Sequence, residues 1–197
     1  MTRVAQLDLP RIDETENGPA LEAALVKVGI FLAEEGLTGV FAVRKLHRHF
    51  DLAVGEVLLS SLASDEPVMW TRVVPRGRVM INQACQWGFF PDGTCVVLGW
   101  WSTEVQGVPE IRAALSKIGV FLSHEGLTGL LAVELLDCDL QVDAGMALLE
   151  TTDVVARVQR TTAIPVAEVH GFPAAWSISP AGKPIGRRWC LESGGDH

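Results

Sequence analysis

The chain has 197 residues, of which 48% are hydrophobic and 20% charged, and its formal net charge is −8 at pH 7. A chain of this length can bury a core without help from a disulfide or a metal. The acidic balance argues against nucleic acid and against an anionic membrane as partners, because both bind clustered basic surfaces. The high hydrophobic content favours a large core, or an apolar patch that a second copy of the chain covers in a homodimer.

The sequence carries no signal for secretion or membrane insertion. Residues 1–18 lack the apolar stretch of a signal peptide, and no segment approaches the roughly 18 consecutive apolar residues of a membrane span. The four cysteines have no CxxC spacing, so free thiols are expected. We therefore expect a soluble, cytoplasmic, globular protein.

The strongest pattern in the sequence is self-similarity. The segment LEAALVKVGIFLAEEGLTG begins at Leu21, and the similar segment IRAALSKIGVFLSHEGLTG begins 90 residues later, at Ile111. Matching residues continue at an offset of 90 and then, beyond Pro165, at an offset of 89. A register kept over this length predicts an internal duplication.

The duplication divides the chain into four parts. Residues 19–104 and 109–193 are the two copies, and we expect them to form one compact domain because the linker between them is short. Residues 1–18 are predicted to be an N-terminal extension, and residues 194–197 a disordered tail.

Each copy is predicted to start with a helix and to continue as five strands. In the first copy, Pro19 suits a first helical turn, the apolar spacing from Leu21 to Leu32 is helical, and Gly36 ends the helix. Five strand candidates follow: GVFAVRKLHRHF, EVLLSS, VMWTRVV, RVMINQACQWGFF and CVVLGWW. The sequence therefore predicts an α+β fold, in which one helix backs an antiparallel β-meander in each copy. The two copies would pack with pseudo-two-fold symmetry into a sandwich or an open barrel.

Two features of the helix occur in both copies. Gly29 and Gly119 lie in mid-helix, where glycine costs about 1 kcal/mol relative to alanine, so we expect another element to approach closely there. Glu35 and Glu125 lie at the C-terminal end, where the helix dipole disfavours a carboxylate. We expect hydrogen bonds to the following turn to compensate, and a catalytic pair on the symmetry axis is the alternative.

The copies differ most clearly where residues 46–50 read LHRHF and residues 136–140 read LDCDL. Residues two apart on a strand share a face, so His47 and His49 are predicted to point the same way. With Glu56 on the next strand they would present two imidazoles and a carboxylate to one metal ion, with positions left open for substrate. If the two strands meet at the pseudo-two-fold axis, Asp137 and Asp139 could supply the carboxylates instead. The predicted cofactor is one divalent metal, Fe(II), Mn(II), Zn(II) or Ni(II).

Two alternatives to a metal site remain open. His47 or His49 could act as a general base that Glu56 orients, without any metal. The segment could also be the solvated polar end of a strand, with no function in chemistry.

A substrate pocket is predicted from residues that only one copy carries. Trp70 and Trp101 have no tryptophan counterpart in the second copy, and with His170 they could line a pocket for an apolar or planar ligand. The sequence thus predicts a small-molecule enzyme of the lyase, isomerase, cyclase or oxygenase type, with the two histidines and the glutamate above as its catalytic residues. The alternative is a non-catalytic module that binds a hydrophobic ligand or a protein partner.

Overall fold

A computed structural model describes residues 9–11 and 18–191, so the predicted tail and most of the predicted N-terminal extension lie outside the described residues. Each half of the described chain contributes one helix followed by five strands. The elements are α1 (Pro19–Glu34), β1 (Phe41–Lys45), β2 (Glu56–Leu62), β3 (Val68–Pro75), β4 (Ala84–Phe89), β5 (Cys95–Trp101), α2 (Val108–His124), β6 (Leu131–Leu135), β7 (Met146–Asp153), β8 (Val158–Pro165), β9 (Phe172–Ile178) and β10 (Pro184–Cys190).

The ten strands form one closed barrel in the order β1-β6-β4-β5-β2-β3-β8-β7-β10-β9. Four antiparallel pairs, β1–β6, β1–β9, β4–β6 and β3–β8, join the two halves of the chain, and the pair β1–β9 closes the ring. Within the halves, β2 runs parallel to β5, and β7 runs parallel to β10. Every strand therefore has a neighbour on both sides, which satisfies its backbone hydrogen bonds.

The predicted α+β fold of helix-and-meander repeats is wrong. The protein is mostly strand, and its sheet is a closed mixed barrel and not a sandwich or an open barrel. The strands do not form a simple meander either, because the segments 76–83 and 166–171 carry the chain across the sheet. The last strand of each half then lies parallel to the second strand, an arrangement that requires such a crossover.

The two sides of the barrel wall differ in chemistry. Successive residues of a strand face opposite sides, and the outward residues pack with the two helices into the main apolar core. The opposite positions carry buried polar and charged side chains beside apolar ones such as Met69 and Leu148. The buried polar residues of the strands include Ser60, Thr71, Glu134, Glu150, Gln159, Thr161 and Arg188. The main core that the hydrophobic composition predicts thus lies between the barrel and its helices, and the interior of the barrel holds buried charged residues.

Each helix covers strands of the opposite half of the chain. Helix α1 packs on β9 and β10, and α2 packs on β4 and β5. A Cβ atom on Gly29 would overlap the carbonyl oxygen of Gly182, and a Cβ atom on Gly119 would overlap that of Gly93. The close approach predicted from the mid-helix glycines is confirmed, and its partner in each case is a hairpin turn.

Gly29→Ala is expected to lower the free energy of unfolding by about 1–3 kcal/mol, the usual cost of overpacking a filled site. Alanine is the better helix former by about 1 kcal/mol, but the added methyl group meets a backbone oxygen that has little room to move. The matched control is Gly39→Ala, since Gly39 is exposed and its added Cβ would meet no atom within 4 Å. Urea unfolding of both variants tests this, and equal stabilities would contradict it.

The two helices also contact each other through ion pairs. Lys117 Nζ lies 2.6 Å from a Glu35 carboxylate oxygen, and Lys27 Nζ lies 2.7 Å from a Glu125 carboxylate oxygen. A lysine of the opposite helix therefore offsets the unfavourable interaction of each carboxylate with the helix dipole. We expected hydrogen bonds to the following turn to have this effect. Neither helix of the described chain has both the length and the apolar character needed to cross a membrane.

Candidate metal centre

The barrel wall surrounds a cavity of about 540 Å³. Residues 44–58, which include the connection between β1 and β2, supply a continuous part of its lining. The apolar lining includes Leu58, Val97 and Trp100, and the charged lining includes Arg44 and Arg188. A cavity with one apolar wall and a few convergent polar groups is typical of a small-molecule site.

Four potential metal ligands converge beside this cavity. His47 and His49 come from the connection after β1, Glu150 from β7 and Cys190 from the end of β10. One ligand atom from each residue can be chosen so that all four atoms lie within 4.8 Å of one another. This group could hold a metal ion.

Five of the six distances within the group are close to those of a tetrahedral site, and the sixth, between His47 and Glu150, is at most 4.8 Å. The two histidine Nε2 atoms are 3.1 Å apart, and His49 Nε2 is 3.5 Å from Glu150 Oε2. Cys190 Sγ lies 3.0 Å from Glu150 Oε2, 3.5 Å from His47 Nε2 and 3.8 Å from His49 Nε2. Zinc bonds of about 2.0–2.1 Å to nitrogen or oxygen and about 2.3 Å to sulfur give tetrahedral edges of roughly 3.3–3.6 Å.

Hydrogen bonds orient both imidazoles. His47 Nδ1 lies 2.9 Å from the carbonyl oxygen of Lys45, to which it can only donate, so in the neutral ring Nε2 carries the lone pair. The Gln159 amide nitrogen lies 2.9 Å from His49 Nε2, and His49 Nδ1 is 3.0 Å from the Thr152 hydroxyl. Partners of this kind fix the tautomer of a metal-binding histidine.

The protonation states suit a metal site. Burial, together with the nearby His49 and Arg44, lowers the pKa of His47 to about 3, so this imidazole is neutral at pH 7. Burial and the charge of Glu150 raise the pKa of the Cys190 thiol well above its usual range, and the thiol donates to Glu150 Oε2. A bound cation would displace this thiol proton, because the thiolate is the form that binds metals.

Buried arginines hold Glu150 through its other oxygen. Arg188 Nη1 donates to Glu150 Oε1 at 3.0 Å and to Glu134 Oε2 at 3.2 Å, while Arg188 Nη2 lies 2.6 Å from Asp139 Oδ2. Arg44 Nη1 donates to Glu134 Oε2 at 2.8 Å. Burial alone would raise the pKa of Glu150, but Arg188 and Arg44 hold it well below its usual range. Glu150 is therefore an ionised carboxylate whose Oε2 faces the histidines and the cysteine.

The structure brings together two of the three predicted ligands. His47 and His49 lie beyond the end of β1 and not on a strand, yet their rings meet with centroids 4.8 Å apart. Glu56 lines the same cavity but is not part of this group, and its two carboxylate oxygens accept hydrogen bonds of 2.9 and 2.6 Å from the Arg157 guanidinium. The carboxylate beside the histidines is that of Glu150.

None of the three predicted substrate-pocket residues is among those that line the cavity. Trp70 packs under the guanidinium of Arg72, at 5.6 Å from the ring centroid. Trp101 is buried in a separate apolar cluster, and His170 is exposed. The tryptophan that lines the cavity is Trp100, whose counterpart in the second half of the chain is Trp189.

Sequence reasoning missed Glu150 and Cys190, although the same comparison contains a signal for both. Glu150 stands where the first half has Ser60, and Cys190 stands where it has Trp101. Both positions differ in chemistry between the halves, as the histidine segment does. Both residues would have been candidate site residues if every position with different chemistry in the two halves, including those within strands, had been considered.

Glu56→Gln is expected to lower stability at neutral pH and to leave metal binding unchanged. Hydrogen bonds from Arg157 lower the pKa of Glu56 from 4.5 to about 2. The contribution of the ion pair is therefore fully present above about pH 4.5 and is lost as the pH falls toward 2. Urea unfolding at pH 7 and at pH 3 should show that the variant has a lower free energy of unfolding than the wild type, and that this difference is smaller at pH 3. A difference of the same size at both pH values would contradict a stabilising ion pair between Glu56 and Arg157.

The site thus combines two imidazoles, a carboxylate and a thiol at the wall of a cavity. Mixed nitrogen, oxygen and sulfur ligands suit borderline metals such as zinc, and hard cations such as magnesium and calcium prefer oxygen alone. No known protein family, no curated protein and no solved structure matches the chain significantly.

Proposed function

We propose that the protein binds one divalent transition metal ion, preferably zinc, through His47, His49, Glu150 and Cys190, and uses it on a small molecule in the barrel cavity. The observation that carries this proposal is the convergence of two imidazole nitrogens, a carboxylate oxygen and a thiol sulfur, with the two Nε2 atoms 3.1 Å apart. A cation between these two nitrogens would be bound by both imidazoles. The carboxylate and the thiol lie where the other two ligands would be needed.

The thiol narrows the range of metals. Thiolate ligands favour zinc and other borderline or soft ions, whereas manganese prefers carboxylate and water. Of the four metals that the sequence suggests, Zn(II) fits the distances and the ligand types best.

A catalytic role requires a place for the substrate on the metal. Four protein ligands fill a tetrahedral zinc site, and catalytic zinc usually has three protein ligands and an open fourth position, sometimes expanding to five. The cavity is lined by His47, His49 and Glu150. A small molecule would add as a fifth ligand from that side, and the metal would polarise its bound oxygen as a Lewis acid.

The closed set of four ligands favours a second candidate function. In this alternative the metal is structural, and the cavity binds an apolar ligand without any reaction. The apolar part of the lining, which includes Leu46, Val57, Leu58, Val97 and Leu98, suits such a ligand.

Elemental analysis tests the metal centre. Protein stripped with a chelator and reconstituted with zinc should contain about one zinc ion per chain. His47→Ala and His49→Ala should lose it, whereas Glu56→Gln should retain it, because Glu56 is paired with Arg157 and is not one of the four converging residues. A wild-type protein that retains no zinc, or a Glu56→Gln variant that loses it, would overturn the proposal.

Cobalt substitution separates the two candidate functions. Azide is a small anion that binds an open metal position, and it should change the ligand-field absorption of the cobalt protein if the metal accepts a fifth ligand from the cavity. A spectrum that azide leaves unchanged at saturating concentration supports the structural metal and the non-catalytic alternative.

A further inference from the structure

Two cysteines outside the metal centre lie side by side. Cys85 is the second residue of β4, and Cys138 is the last residue of the short 3₁₀ turn that follows β6. Gln86 pairs with Glu134 in the antiparallel ladder between these strands, so the start of β4 lies beside the end of β6. Both residues pack in the same apolar cluster, Cys85 as a buried member and Cys138 against it, and the two thiols interact with each other.

The two thiols differ in their access to solvent. Cys85 is only 1% exposed, while Cys138 is half-buried and lies next to the exposed Asp137. A dissolved oxidant can therefore reach Cys138 first, with the Cys85 thiol already in contact behind it. An accessible cysteine with a second thiol beside it is the usual arrangement of a redox-sensitive pair.

We propose that Cys85 and Cys138 form a reversible intramolecular disulfide when the protein meets hydrogen peroxide. The Cys138 sulfur attacks one peroxide oxygen, the O–O bond breaks, and Cys138 sulfenic acid and one water form. The Cys85 sulfur then attacks the sulfenic sulfur, and the hydroxyl group leaves as a second water. Two thiols are oxidised to one disulfide and one peroxide is reduced to two waters, so no other reactant is needed.

The disulfide would act on a segment that holds the buried charges. Asp139 follows Cys138 directly, and its Oδ2 accepts from Arg187 Nε at 3.1 Å and lies 2.6 Å from Arg188 Nη2. The new bond would tie this turn to β4, in place of a contact between two free thiols. Because the linked residues are far apart in sequence, the disulfide should also raise the unfolding temperature.

Peptide mapping of the folded full-length chain tests the pair. The protein is treated with hydrogen peroxide, alkylated without reduction and cleaved both by trypsin and before Asp92, since trypsin alone leaves Cys85 and Cys95 on one peptide. The expected product is a peptide linked through Cys85 and Cys138, which dithiothreitol separates. Peroxide should also raise the unfolding temperature of the wild type.

Three variants serve as controls. Cys138→Ser should give no linked peptide and no rise in unfolding temperature. Cys95→Ser and Cys190→Ser should form the same disulfide as the wild type. For Cys190→Ser this is expected because the disulfide between Cys85 and Cys138 does not depend on the thiol of the metal centre. Full alkylation of both cysteines after peroxide treatment would overturn the proposal, and so would a linked peptide that joins Cys138 to Cys190 or to another chain.

Discussion

Arg188→Ala is expected to lower the free energy of unfolding by about 3–5 kcal/mol, the range for breaking a buried ion pair by removing one partner. The Arg188 side chain is 1% exposed and contacts three carboxylates, those of Glu134, Asp139 and Glu150. Without it, these carboxylates would remain buried with fewer positive charges nearby. Urea unfolding at pH 7 measures the loss.

The control for this prediction is Arg72→Ala. Arg72 is exposed on β3 and covers the ring of Trp70, so its removal should cost no more than about 0.5 kcal/mol, as for most surface substitutions. A loss for Arg188→Ala as small as that for Arg72→Ala would mean that the buried charges do not depend on Arg188.

Cys190→Ser is expected to weaken zinc binding by at least about 100-fold. Removing a residue that is hydrogen bonded to a metal ligand already lowers the affinity for the metal by about 10–100-fold, and this variant removes a ligand itself. The loss should be greater for zinc and cadmium than for manganese, because the softer metals depend most on the thiolate.

Thermal unfolding with and without added zinc measures this effect. A metal that binds only the folded chain raises the unfolding temperature in proportion to the logarithm of its concentration over the Kd. Zinc should therefore raise the unfolding temperature of the wild type and of Cys95→Ser, and much less that of Cys190→Ser. An equal rise in all three proteins would exclude Cys190 as a ligand.

The histidines of the site could be predicted because their signal is local. His47 and His49 are two residues apart in a segment whose counterpart holds two aspartates. The prediction that both side chains point from one face of a strand was only partly right. The strand ends at Lys45, and the irregular segment after it brings the two rings together. The close approach at Gly29 was predictable for a related reason, because glycine in mid-helix is costly without a partner.

The positions of the Glu150 carboxylate and the Cys190 thiol beside the histidines depend on how the barrel closes. Glu150 and Cys190 are paired across the parallel strands β7 and β10, and no local pattern in the sequence specifies which strands become neighbours in a mixed barrel. Glu56 was chosen because it follows the histidines along the chain, but Arg157, about a hundred residues away, binds its carboxylate. The buried charges inside the barrel could not be predicted for the same reason, since Glu134 lies in a strand that is otherwise apolar.

X-ray absorption spectroscopy of the zinc-loaded protein tests the metal centre most directly. The four residues predict a first shell of one sulfur at about 2.3 Å and three nitrogen or oxygen atoms at about 2.0–2.1 Å, with the scattering of two imidazole rings beyond it. The Cys190→Ser protein should lack the sulfur. A wild-type spectrum without sulfur, or one with several sulfur atoms, would contradict a site built from His47, His49, Glu150 and Cys190.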